Sequence, residues 1–145
     1  MLSCFDIARY FLALTDEESG DFISNLKLQK LVYYAQGFYL ALHGKPLFSE
    51  TIEAWMHGPV IPELYHLYKE YGSGPIPKPL DVDFSRYDIE VKTLLDEIYV
   101  TYGQYSAWKL RELTHEEPTW KNNYFSADKI ISCPELTNYF RTLIN

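Results

Sequence analysis

The sequence predicts an all-α fold: one orthogonally packed domain spanning 1–145, with about six helices around a central helix at about 25–43 and one short extended segment near 50–56. Three observations predict it. Residues 25–43 read as a single helix that is too apolar all round for a surface helix: Leu28, Leu31, Val32, Ala35, Tyr39 and Leu42 form one stripe at helical spacing, Gln29, Tyr33 and Gln36 a second, and Lys27, Lys30 and Tyr34 a third. Only a helix contacted from several sides carries such a pattern. The rest of the chain is divided by capping residues and Gly or Pro stops into helix-length apolar periodicities. Finally, a chain of 145 residues that is 47% hydrophobic buries roughly 70% of the surface its unfolded form exposes, with no need of a disulfide or a metal.

Ser3 can cap a first helix from about Cys4 to Leu14, with Phe5, Ala8, Phe11 and Leu12 as its buried face and Asp6 at its positive end. Thr15 to Gly20, carrying Asp16, Glu17 and Glu18, reads as a solvated loop. The central helix starts near Ser24 or Asn25 and stops at Gly44, a residue suited to the left-handed position after a helix, with Pro46 just beyond. Ile52, Ala54 and Met56 alternate with Glu53 and Trp55, which suits a short extended piece broken by His57-Gly58-Pro59. Pro62 opens a helix carrying Leu64, Leu67 and Tyr68 that ends at Tyr71-Gly72. Gly72 to Pro79 is rich in Gly and Pro and reads as a loop. Asp83 or Ser85 caps a helix to about Tyr102, faced by Val91, Leu94, Leu95 and Ile98; Ser106 caps another, carrying Trp108, Leu110 and Leu113. Glu116-Glu117-Pro118 begins a turn that carries Trp120, and a last helix runs from Pro134 to about Leu143.

The net charge of −7 argues against nucleic acid as a ligand, because phosphate binding needs a basic patch. Acidity suits a basic protein partner and plain solubility equally. Thirteen tyrosines fit a Tyr-rich core and rim, and Tyr is also enriched at interfaces. Cys4 and Cys133 form no CxxC and have no nearby His, so neither a metal site nor a disulfide framework is indicated. Leu2-Ser3-Cys4 resembles a lipoprotein cleavage site but lacks the segment that must precede one. No run approaches the roughly 18 apolar residues of a membrane span. No membrane association and a cytoplasmic location are expected.

Chemistry has few footholds. His43, His57, His66 and His115 include no zinc-binding pair, and no nucleophile elbow or phosphate-cradling loop is present. His115, Glu116 and Glu117, with His57, are the only candidates for general acid–base work, and they lie on local segments. His115 in the last turn of its helix can equally bond free carbonyls. No enzymatic activity, metal or cofactor is expected. Lys27, Lys30 and Tyr34 suit a solvated face with snorkelling stems better than a small anion site. Gln29, Tyr33 and Gln36 either fix helix registry in a polar core or line a groove that accepts a peptide; the sequence leaves both open.

Several segments together carry a resemblance: Leu26 to Gly37, Gly44 to Phe48, Ile52 to Pro62, Tyr105 to Leu110, Leu113 to His115, and Pro118 to Trp120. In order and spacing, over about Ile7 to Ile131, they resemble the Panacea domain, the SocA-like antitoxin family also called phage-associated GepA-like. The resemblance implies a helical antitoxin that neutralises a cognate protein toxin, expected from the adjacent gene, by direct binding. Family members pair with toxins of unrelated types. The SocA branch is also a proteolytic adaptor that delivers its toxin to the ClpXP protease. Some relatives carry an additional DNA-binding domain; none is expected here. The resemblance implies a partner-binding set of Lys27, Gln29, Lys30, Tyr33, Tyr34, Gln36, Trp55, His57, His115 and Trp120. If the central helix itself touches a toxin, it is expected to do so through Lys27, Lys30 and Tyr34.

Overall fold

Helix α2 (Asn25–His43) runs through the middle of the computed structural model, which describes residues 1–144. Within α2 only Leu26, Phe38, Leu42 and His43 escape full burial. The Ser24 hydroxyl accepts from the Lys27 N–H at its start, and Gly44, at φ +70°, ends it in the left-handed conformation. Around it pack α1 (Cys4–Ala13), α3 (Pro62–Tyr68), α4 (Ile89–Tyr102), α5 (Ala107–His115) and α7 (Cys133–Arg141), with the short α6 (Pro118–Lys121) bridging α5 and α7. This is the physical content of a helix with three different stripes: each stripe meets a different neighbour.

The fold is mostly helical, and one correction to an all-α description is required. Strands β1 (Ile52–Trp55), β2 (Gly58–Val60) and β3 (Ile130–Ile131) form a small antiparallel sheet in the order β2-β1-β3. The extended segment expected near 50–56 is its central strand, with Ile52 and Ala54 turned into the core. β1 and β2 are joined by Met56-His57, since Trp55 pairs with Gly58. β3 has two residues and pairs across a long sequence separation, so no local periodicity announces it.

Boundaries shift where two caps compete. Asp83 caps only a 3-10 turn, Phe84–Arg86; the chain then extends at Tyr87, and Asp88 caps α4. Tyr87 explains the break: it is buried, and its hydroxyl donates to the Asp6 carbonyl at 2.7 Å, which fastens the loop to α1. α3 likewise passes into a 3-10 turn at Lys69–Tyr71. The first helix opens with a capping box between Ser3 and Asp6. Among the described residues, no helix is long and apolar enough to cross a membrane.

α2 and α7 approach closely because residue 37 is glycine. The Phe140 ring occupies the space where a Cβ on residue 37 would sit. Gly37→Ala is therefore expected to destabilise the fold by about 1–3 kcal/mol through overpacking, although alanine is the better helix former. Urea unfolding measures this, and Gly37→Ala combined with Phe140→Leu should recover part of the loss.

Candidate functional site

The polar side chains of α2 point inward, and each one holds a neighbour. Gln29 accepts from the Ile61 N–H at 2.9 Å and donates to Asn25 Oδ1 at 2.8 Å. Gln36 accepts from the Leu47 N–H at 2.7 Å and donates to the Phe48 carbonyl at 2.8 Å. Each amide thus clasps a stretch of non-helical chain that would otherwise bury unpaired backbone groups. Both glutamines therefore fix registry, and Gln29 also borders the groove beside the β1–β2 turn. Tyr33 and Tyr34 donate to the two oxygens of Glu117, at 2.6 and 2.9 Å, and Tyr33 also shares a 2.7 Å bond with Thr119. Burial pushes the Glu117 carboxyl above its ordinary range, and the phenol bonds partly offset this. Burial and the adjacent carboxylate push both phenols up, so the phenols remain the donors.

The Lys27–Lys30–Tyr34 stripe is the clearest departure from the sequence reading, which made it a solvated face. Lys27 is buried and its amine donates to the Gly103 carbonyl at the end of α4, at 2.6 Å. Tyr34 stacks on Tyr102 with ring centroids 4.0 Å apart. Lys30 is wholly buried, its amine donates to the Pro59 carbonyl at 3.1 Å, and no carboxylate pairs with it. Burial lowers its pKa to about 7, and Arg111 contributes to the lowering. The stripe sits inside because α4, α5 and the β1–β2 hairpin close over it and supply carbonyl acceptors. Lys27, Gln29, Lys30, Tyr33, Tyr34 and Gln36 are all buried, with Lys27 and Gln29 bordering surface grooves.

The remaining four residues, Trp55, His57, His115 and Trp120, do come together, where the α5–α6 elbow meets the β1–β2 turn. His115 Nε2 lies 2.9 Å from the Met56 carbonyl, which only accepts, so this nitrogen carries the proton. The His115 ring stacks on Trp120 at 4.0 Å. The Trp120 indole donates to the Trp55 carbonyl at 2.7 Å, and the Trp55 indole donates to Glu53 at 2.9 Å. Burial lowers the His115 pKa, with Arg111 next in effect.

Two residues that the sequence did not bring into the site complete its outer edge. Arg111 Nε donates to His57 Nδ1 at 2.9 Å, and the Arg111 guanidinium lies 4.4 Å over the Trp108 ring. Trp108 is 56% exposed and Met56 61%. The readable signal was their spacing, an aromatic and an arginine three apart on one helix, which places them side by side. Beside this edge lies a groove of about 310 Å³ walled by Trp55, Val60, Tyr65, His57 and Lys69. Of the acid–base candidates, His57 and His115 meet at the turn, whereas Glu116 is exposed and pairs with Lys121 at 3.3 Å and Glu117 is bonded to Tyr33 and Tyr34 in the interior. Among the described residues, no group of three or more His, Cys, Asp or Glu is placed to hold a metal.

Residues 28–121 match the family described as Antitoxin SocA-like, Panacea domain. The interval runs from within α2 to the end of α6 and contains every residue of the surface cluster. Antitoxin SocA of Caulobacter vibrioides (strain NA1000 / CB15N) is 32% identical over 105 residues, which cover 64% of this chain and 55% of that protein. The chain thus spans about half the length of this curated relative. No solved structure matches.

The burial of Lys30 has a measurable consequence. Its folded pKa is about 7 and its unfolded value about 10.4, so between these the unfolded chain holds a proton that the folded chain has released. Stability therefore rises with pH across this window. Relative to Lys30→Met, the wild-type protein should gain about 2 kcal/mol between about pH 7 and about pH 9. Urea unfolding of both proteins at the two pH values tests this; equal slopes would show that the amine is charged in the fold.

Proposed function

This chain belongs to the Antitoxin SocA-like, Panacea domain family, and from that premise we propose that it is the antitoxin of a toxin–antitoxin pair, neutralising a cognate protein toxin by direct binding. The contact is the face built by Met56, His57, Trp108 and Arg111 together with the Trp55–Tyr65 groove. The observation that carries this reading is the exposure of Trp108 and Met56 beside a half-buried arginine. Tryptophan and arginine dominate binding hot spots, and methionine is enriched at interfaces. Neutralisation by this route requires only that the complex cover the toxin's active surface; no chemistry by this chain is needed.

The toxin is sought first in the product of the adjacent gene. Co-expression is expected to restore growth and to give a stoichiometric complex. Trp108→Ala and Met56→Ser should each weaken that complex tenfold or more, about 1.4 kcal/mol, with Tm unchanged. Tyr33→Phe should instead lower Tm, because it removes a buried bond to Glu117. Growth restored at constant toxin level supports occlusion, whereas a toxin half-life shortened only when ClpXP is present supports delivery to that protease. Absence of binding to any neighbouring product, or full affinity in the Trp108 and Met56 variants, overturns the proposal.

A further inference from the structure

The candidate face presents a cation although the chain as a whole carries a net charge of −7. Four basic residues gather at the β1–β2 turn: Lys30 buried beneath it, His57 on it, and Arg111 and His115 on α5. Burial lowers the pKa of Lys30 and of His115, and His57 Nδ1 accepts from Arg111, so the lasting charge of the group is that of Arg111. Among the described residues no carboxylate bonds to any of the four. Glu53 takes the Trp55 indole, Glu116 takes Lys121, and Glu112, exposed on α5, forms no hydrogen bond to them.

Arg111 is the outward member of this group. Arg9 and Arg86 each have a carboxylate, at 2.5 and 2.9 Å; among the described residues Arg111 has none. Its Nε is committed to His57 and its face to Trp108. Among the described residues the two terminal NH₂ groups find no acceptor, although the guanidinium is already held in one orientation. A fork fixed in this way suits two-point recognition of a carboxylate, with much of the ordering cost already met. The adjoining groove is walled mainly by Trp55, Val60, Tyr65 and Met56 and suits one apolar side chain.

We propose that this face reads an acidic segment of the partner protein: a carboxylate side chain pairs with Arg111 while a neighbouring apolar side chain enters the Trp55–Tyr65 groove. The proposal rests on the antitoxin reading and adds the chemistry of the segment it recognises. Nucleic acid fits less well. The site offers one exposed guanidinium, and a polyanion would be repelled by the acidic remainder of the chain. A partner that is basic overall yet presents a local carboxylate satisfies both the long-range field and the short-range contact.

The test is an NMR titration of the full chain with blocked pentapeptides, acetyl-Ala-Leu-Ala-Glu-Ala-amide and its Gln and Lys counterparts, and with inorganic phosphate. The Glu peptide should shift the indole signals of Trp108 and Trp55 and the Nε–H of Arg111, with at least a fivefold weaker response to the Gln peptide. Arg111→Gln should abolish that preference at unchanged Tm, and Arg111→Lys should retain only part of it. The Arg111→Lys comparison stands even if Arg111→Gln fails to fold. No response to the Glu peptide at about 10 mM, a range set by contacts worth only a few kcal/mol, overturns the proposal. So do equal responses to Glu and Gln, preference for the Lys peptide, or phosphate shifting the same signals as strongly as the Glu peptide. In cells, neutralisation by both wild type and Arg111→Gln overturns the acidic-segment proposal and leaves the antitoxin reading intact. Failure of the wild type to neutralise overturns the reading and the proposal together.

Discussion

The structure turns on one buried carboxylate with no cation to balance it. Glu117 sits at the α5–α6 elbow and is held by the hydroxyls of Tyr33 and Tyr34 from the central helix. A carboxylate without these donors would be untenable in the interior, and bonds to charged groups contribute about 1.5–3 kcal/mol each. The pairing therefore fixes the elbow against α2. The elbow in turn fixes Trp120 and His115, whose bonds to the Trp55 and Met56 carbonyls anchor the β1–β2 turn. The outer edge formed by His57, Arg111 and Trp108 is the end of this chain of constraints, which begins at two adjacent tyrosines in the core.

Lys30 is the counterpart on the same helix. A buried amine with a single carbonyl acceptor is costly if charged, and its lowered pKa expresses that cost. Its geometric effect is specific. Residue 58 lies at φ +108°, and a Cβ there would come within 2.6 Å of Lys30 Cε and 2.8 Å of Thr114 Oγ1. Only glycine lets the hairpin settle onto the lysine and α5 at once. The short sheet is thus seated on a polar core, and its placement does not depend on strand propensity.

Much of this was legible in the residues. The bounds of α2 follow from Ser24 and Gly44, and its central position follows from three stripes that no single-faced helix would carry. What was hidden depends on partners distant in sequence. Lys30 and Tyr34 at helical spacing look solvated until the Pro59 carbonyl and the Tyr102 ring are known. Two residues of β3 carry no period of their own, and Tyr87 breaks a helix because of an acceptor on α1. Of the expected partner-binding set, Trp55, His57, His115 and Trp120 meet near the surface, whereas the six residues of α2 are interior. A motif shared across a family can record what builds the fold as readily as what meets a partner.

That distinction bears on which residues around the β1–β2 turn are free to vary. The residues that position the turn — Glu117, Tyr33, Tyr34, Lys30 and Gly58 — are buried or glycine and cannot vary without loss of packing. Met56 and His57 are exposed at its tip, and Trp108 is exposed beside it on α5. Met56 contributes its backbone carbonyl to His115, so replacing its side chain leaves the anchoring bond in place. Trp108 lies near the start of α5 and supports Arg111 from one side only. The Met56 side chain can therefore be exchanged with little effect on the turn, whereas exchange of His57 or Trp108 also frees Arg111 from the contact that orients it. The polar core holds the backbone of the turn constant and leaves uncommitted the few side chains that the core does not use.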